Sequence, residues 1–262
     1  MVWQGLQRLR AGCPLVLNIT NYVVMNNTAN ALLAIGASPV MAHAQEEVED
    51  LVAIASSLVL NIGTLSPPWI ESMFKAGRAA NARGIPIVLD PVGCGASGFR
   101  TRTSRALVEA LRPTIIRGNA SEIRSLLRAT AGTRGVDSQV DTEAVADEAR
   151  ELATASGSVV SVSGPVDYIT DGRSVLRIAN GNPIMTRVTG MGCTATALTG
   201  AFAGAGLPAL EAAAITMAVM GVTGDIATER AAGPGSFQVH FLDALSQLGE
   251  QDLATRLRLQ RD

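Results

Sequence analysis

Short apolar runs recur along the chain, and a stretch of helical character separates nearly every consecutive pair. The runs are Pro14–Ile19, Ser38–Met41, Ser57–Asn61, Ile85–Leu89, Thr114–Arg117 and Ser158–Ser163. Between them lie Asn27–Ile35, Glu46–Ile54, Pro67–Arg83, Arg102–Leu111 and Glu143–Ala155, which read as helices, with Gly36 and Gly84 as stops. A strand that is apolar throughout is buried on both faces, and strands joined through helices run parallel. The alternation therefore predicts an α/β fold, with a mostly parallel central sheet flanked by helices on both faces.

The C-terminal half departs from this rhythm. Tyr168–Thr170 and Val175–Ile178, joined through Asp171-Gly172, read as a hairpin. Two Ala-rich helices follow at Thr194–Ala205 and Ala209–Ala227, and a last helix lies within Ser236–Arg258. Thr130–Val140 is the least regular stretch. With no internal repeat and no linker, residues 1–262 are expected to form a single domain.

Composition narrows the partners. Apolar residues make up 47% and charged residues 17%, which argues against long disorder. A formal net charge of −2, without any Lys/Arg run, gives no footprint for nucleic acid. Three widely spaced cysteines, Cys13, Cys94 and Cys193, form no disulfide framework and fit a reducing compartment. Arg8 and Arg10 interrupt any signal-like apolar run. Val188–Leu210 is uncharged and long enough to span a bilayer, but its Gly, Ala and Thr content favours a helix buried against a sheet. A cytoplasmic protein with no membrane partner is expected.

In a parallel sheet, ligands gather beyond the carboxyl ends of the strands. Four polar features fall there: Asp90; Arg117-Gly118-Asn119 with Glu122; Ser163-Gly164 with Asp167; and Thr189-Gly190-Met191-Gly192-Cys193. In the last, Gly190 and Gly192 allow close backbone approach, and the following helix presents free N–H groups to an anion. A phosphoryl group in transfer is such an anion. The turn is neither a P-loop nor GxGxxG, and a tight packing turn is its structural alternative.

Each side chain carries two readings. Cys193 sits where a helix N-terminus lowers thiol pKa, or it is a small buried hydrophobe. Asp90 and Glu122 could hold Mg²⁺ against phosphates through water; otherwise Asp90 forms a strand-end turn and Glu122 a capping box with Asn119. Arg117 could pair with phosphate or with a surface carboxylate. His43 and His240 suggest no metal site.

Five blocks in order resemble the hydroxyethylthiazole kinase family: Asn18–Leu51, Asp90–Ser97, Ile115–Ile123, Val162–Gly172 and Gly181–Gly204. They include NITNYVVMNNTANALLAIGASPVM, DPVGCGAS, IIRGNASEI, VSGPVDYITDG and GNPIMTRVTGMGCTATALTGAFAG, and the similarity covers nearly the whole chain. The resemblance implies a ribokinase-like fold and ATP- and Mg²⁺-dependent phosphorylation of 4-methyl-5-(2-hydroxyethyl)thiazole in thiamine salvage. It further implies a homotrimer with sites between subunits.

By that resemblance Met41 and Gly190 contact the thiazole, Arg117 and Ser163 contact ATP, and Asp90 and Glu122 lie near phosphates and metal. Gly192 supplies helix N–H groups, and Cys193 stands where the wider superfamily places an aspartate base. Ser163 and Met191 occupy positions where the family often has Thr. Two other readings stand beside this one. A dehydratase of hydrated nicotinamide cofactors shares the fold, though Cys193 and the block through Met41 count against it. A vitamin or nucleotide binder without turnover is the other.

Overall fold

The computed structural model describes residues 1–131 and 142–261. The irregular stretch expected from Thr130 to Val140 lies almost wholly outside the described residues.

Nine strands form one sheet in the order β2-β1-β3-β4-β5-β6-β7-β8-β9. They are β1 (Leu15–Ile19), β2 (Ser38–Met41), β3 (Ser57–Asn61), β4 (Ile87–Asp90), β5 (Ile115–Asn119), β6 (Val159–Ser163), β7 (Asp167–Thr170), β8 (Val175–Ile178) and β9 (Leu259–Arg261). The first six pair in parallel and the last three antiparallel. The chain leaves β1 in one direction to form β2 and returns on the other side to form β3. The crevice between β1 and β3 is therefore the topological switch point.

Alternate residues divide the core into two layers. Val16, Val59, Val88, Ile115 and Val159 join one apolar cluster with α1 (Val2–Gly12), α2 (Met25–Ile35), α8 (Met191–Gly204), α9 (Ala209–Arg230) and α10 (Pro234–Gln247). Leu17, Leu58, Leu60, Leu89, Ile116 and Val160 join the other. There they meet α3 (Val48–Ile54), α4 (Pro67–Arg83), α5 (Gly98–Leu111), α6 (Ala120–Ala131) and α7 (Thr142–Ser156). The predicted helix–sheet–helix sandwich is realised.

Small side chains let α8 settle close to the sheet. A Cβ on Gly200 would stand 2.5 Å from Val59 Cγ2, so a larger residue there would lift the helix from β3. This approach brings the first turn of α8 down to the strand ends. Helix α9 is long and apolar enough to cross a membrane, yet 72% of its apolar window is buried inside the fold. Ala in its sequence reflects contact with α8 and α10 on either side.

Several boundaries differ from expectation. Helix α5 begins at Gly98 rather than Arg102, because Ser97 Oγ caps it by accepting from the Arg100 N–H at 3.3 Å. The single last helix resolves into α10 and α11 (Glu250–Arg256), separated at Leu248-Gly249 and followed by β9. A 3-10 turn at Pro183–Arg187, set by Asn182 accepting from the Ile184 N–H at 3.1 Å, was not anticipated.

Candidate active site

The alternation that sorts the core also aims the site. Val59 and Asn61, Val88 and Asp90, Ile115 and Arg117, and Ser161 and Ser163 fall in pairs on one sheet face, the face covered by α8. Asn61, Asp90 and Ser163 stand at the carboxyl ends of their strands, and Arg117 lies two residues before the end of β5. Asn61 is the register partner of Asp90, and Asn119 that of Ser163.

Asp90 is 1% exposed. Its Oδ2 accepts from Asn61 Nδ2 at 2.8 Å and from Thr196 Oγ1 at 2.7 Å. These side-chain partners replace the strand-end turn that was the structural alternative. Burial raises its pKa to about 6, the nearby Arg117 opposes the rise, and Glu122 adds to it.

Arg117 is buried, and its Nε has no hydrogen-bond partner. No carboxylate pairs with it among the described residues. The surface ion pair is therefore excluded. The Asp90 carboxyl feels the charge of Arg117 without bonding to it, and a guanidinium whose donors are not taken up by the protein favours an anionic ligand. Its Nη1 lies against the first turn of α8, 2.7 Å from where a Cβ on Gly192 would stand. Glycine at 192 thus leaves room for the cation to stand where it does.

Helix α8 is capped by Gly190 in the left-handed region, at φ 84°. A Cβ there would also come within 2.9 Å of Val24 Cγ1. The first helical bond runs from the Thr194 N–H to the Gly190 carbonyl at 2.8 Å, so the N–H groups of residues 191–193 precede the ladder. With the helix dipole and Arg117, they define an anion-attracting corner.

Glu122 plays the capping part. The Glu122 N–H donates to Asn119 Oδ1 at 3.0 Å, and the Asn119 N–H donates to Glu122 Oε2 at 2.9 Å. Its Oε1 also accepts from the Gly93 N–H at 2.8 Å. The same carboxylate therefore ties the loop after β4 to the start of α6. Arg100 makes a second tie, donating to the carbonyls of Ile62 at 2.9 Å, Val92 at 2.7 Å and Gly63 at 2.9 Å.

For Cys193 the structure reverses the helix-terminus expectation. Its pKa is pushed up to about 11, first by burial and then by Asp90. Amide donors from Asn61 and Asn21, at 3.2 and 3.6 Å, only partly offset this. The group is a neutral thiol. Ser163 Oγ makes one long hydrogen bond, 3.5 Å to the Gly118 carbonyl, and is otherwise uncommitted. Asp167, which caps the Gly164 N–H at 3.0 Å, has a pKa raised by burial to about 7.

Asp90, Arg117, Gly192 and Cys193 thus converge, with Glu122 and Ser163 at the border. Met41 stands apart on the edge strand β2, opposite Asn18 and against the α8-side core. His43 packs on Trp69 with ring centroids 4.4 Å apart, and Tyr22 lies over the same indole at 4.8 Å. Sequence reasoning missed Asn21, Asn61 and Thr196. Asn61 carried the same signal as Asp90, a polar residue closing an apolar strand.

The hydroxyethylthiazole kinase family model matches residues 6–251. A hydroxyethylthiazole kinase of Oleidesulfovibrio alaskensis is 58% identical over 99% of this chain and 98% of the relative. This chain belongs to the hydroxyethylthiazole kinase family. The counterpart in Nitratidesulfovibrio vulgaris Miyazaki F is 57% identical over 99% of the chain and 97% of its own length. The solved hydroxyethylthiazole kinase of Pyrococcus horikoshii superposes with a TM-score of 0.94 at 42% identity, covering 100% of this chain and 98% of that one. A Staphylococcus aureus pyridoxal kinase, at TM-score 0.60 and 16% identity over 81% of this chain and 88% of its own, shares the ribokinase-like fold. Kinase membership implies ATP as co-substrate, together with a small-molecule acceptor.

Proposed function

We propose that the chain, acting as a single domain, transfers the γ-phosphoryl group of ATP to the primary alcohol of 4-methyl-5-(2-hydroxyethyl)thiazole, in thiamine salvage. The observation that carries this reading is the buried, unpaired Arg117 guanidinium set against the open N–H groups of α8. That corner is suited to phosphate, and family membership supplies the thiazole.

The alcohol oxygen bonds to the γ-phosphorus as the bridging P–O bond to ADP breaks. In a loose transition state, charge spreads over the transferred oxygens, so positioning and neutralisation dominate. Arg117 and the amides of residues 191–193 receive that charge. The Asp90 carboxylate, with a pKa near 6, is ionised at neutral pH and is the available acceptor for the hydroxyl proton. Cys193 lines the hydroxyl's position as a neutral thiol. Ser163 offers its hydroxyl to the nucleotide phosphates, and Met41 with Gly190 forms the thiazole side.

The carboxylates fit Mg²⁺ held through water. Asp90 Oδ2 is committed to Asn61 and Thr196, and both Glu122 oxygens to backbone N–H groups. Direct ligation would strip those partners, whereas Mg²⁺ retains several waters by preference. When bound, the ion would neutralise phosphate charge.

We read the protein as a cytoplasmic homotrimer with sites between neighbouring subunits. Exposed Tyr22, Val23 and Leu33, beside the edge strand that carries Met41, support that arrangement. Sedimentation of the purified protein tests it, with a monomer as the contrary result. ADP formation dependent on added thiazole alcohol tests the reaction. Binding without ADP formation favours a binder, and activity only with hydrated nicotinamide cofactor favours the dehydratase.

A further inference from the structure

Asn61, 1% exposed at the end of β3, makes four side-chain hydrogen bonds, and two of them reach groups at the reaction centre. Its orientation is fixed by the backbone. Oδ1 accepts from the Gly63 N–H at 2.9 Å, and an N–H can only donate. The amide nitrogen must therefore face the opposite way, where Asp90 Oδ2 lies at 2.8 Å and Cys193 Sγ at 3.2 Å. Asn21 is oriented by the same logic. Its Oδ1 accepts from the Val23 N–H at 3.1 Å, which turns its Nδ2 toward Asn61 Oδ1 at 2.9 Å and Cys193 Sγ at 3.6 Å. The sulfur is thus offered two N–H donors.

We propose that Asn61 is a positioning residue for phosphoryl transfer, locking the Asp90 carboxylate and the Cys193 sulfur into one geometry around the acceptor hydroxyl. The inference rests on the kinase reading above. Asn61 gains and loses no proton. It acts by fixing where the proton acceptor and the thiol stand, and a displacement of about 1 Å at such a centre can cost about a hundredfold in rate.

The test uses the full chain with exposed Cys13 replaced by Ser, so that Cys193 is the accessible thiol. Asn61→Ala removes every hydrogen bond of the amide. Asn61→Asp keeps the shape and the acceptor side but removes the donor. Both are expected to lower kcat at least about thirtyfold, with KM for ATP and the thiazole alcohol within about threefold, while the lost buried hydrogen bonds lower the melting temperature without unfolding the protein at assay temperature. Asn61→Asp should also slow iodoacetamide alkylation of Cys193 at least about tenfold, because lost donation and added negative charge both disfavour the thiolate.

A folded variant with unchanged kcat overturns the proposal. So does a change of kcat matched by comparable changes in both KM values, the signature of a purely structural residue. Unchanged alkylation in Asn61→Asp overturns the contact with Cys193. Slowed alkylation in a protein whose parent form does not phosphorylate the thiazole alcohol would sink the kinase reading, and with it the role in transfer, while leaving the contact standing.

Discussion

Arg117 Nη1 occupies the space that a side chain at position 192 would need, 2.7 Å from where a Cβ on Gly192 would stand. Cation and helix terminus therefore form one structure. Gly192→Ala should displace the guanidinium and raise the KM for ATP about tenfold or more. Alanine is the better helix former by roughly 0.5–1 kcal/mol, so the fold itself should tolerate the change. Initial rates at varied ATP, with a melting curve, would decide; an unaltered ATP KM would contradict the contact.

Arg117→Ala should act mainly on the same KM. The guanidinium makes no close ion pair in the ligand-free protein, but its charge favours the buried Asp90 carboxylate, so its loss should push the Asp90 pKa further up while changing the stability of the ligand-free protein little. Calorimetry with and without ATP separates the two effects. If the ATP KM stays unchanged, Arg117 does not bind the nucleotide.

Cys193→Ser should cost about tenfold in kcat, below the usual contribution of a general base. A thiol whose pKa lies near 11 is neutral at pH 7, and serine preserves its size and donor. A loss beyond about a thousandfold would make the thiolate essential.

Asp90 couples stability to pH in a direction opposite to that of most carboxylates. Its folded pKa, about 6, exceeds the ordinary aspartate value of about 3.9, so the folded state holds the proton more tightly. The group therefore favours folding at low pH, and that contribution is lost as pH rises from about 4 through about 6. The full shift corresponds to an upper bound on the order of 3 kcal/mol. Asp90→Asn should melt above the parent protein at pH 8 and equal to it near pH 4, while losing at least about a hundredfold in activity. A variant less stable than the parent at pH 8 would contradict the assignment of burial as the cause.

Much of this was legible in the sequence, for a reason visible in particular residues. Asp90, Arg117 and Ser163 could be found because each interrupts or closes an apolar strand, and alternation then placed them on one face. Asn61 closes its strand in the same way, but an amide carries no charge to draw chemical attention. Its value lies in partners 29, 40 and 132 residues away. Thr196 reaches Asp90 across 106 residues, and only the close seating of α8 on the sheet brings the two together. Strand β9 has no periodic signal of its own and forms because β8 offers an open edge. Helix position alone left the Cys193 thiol open between a lowered pKa and a buried neutral group, since a sequence does not show how deeply a first turn is enclosed.

The guanidinium of Arg117, which makes no close ion pair, also bears on how such a protein should be handled at the bench. A cation with free donors beside open helix N–H groups attracts small tetrahedral oxyanions. Sulfate from a precipitation step, or phosphate from a buffer, would settle in the same corner and compete with the nucleotide. An apparent ATP affinity measured in such solutions would be as much a property of the buffer as of the enzyme.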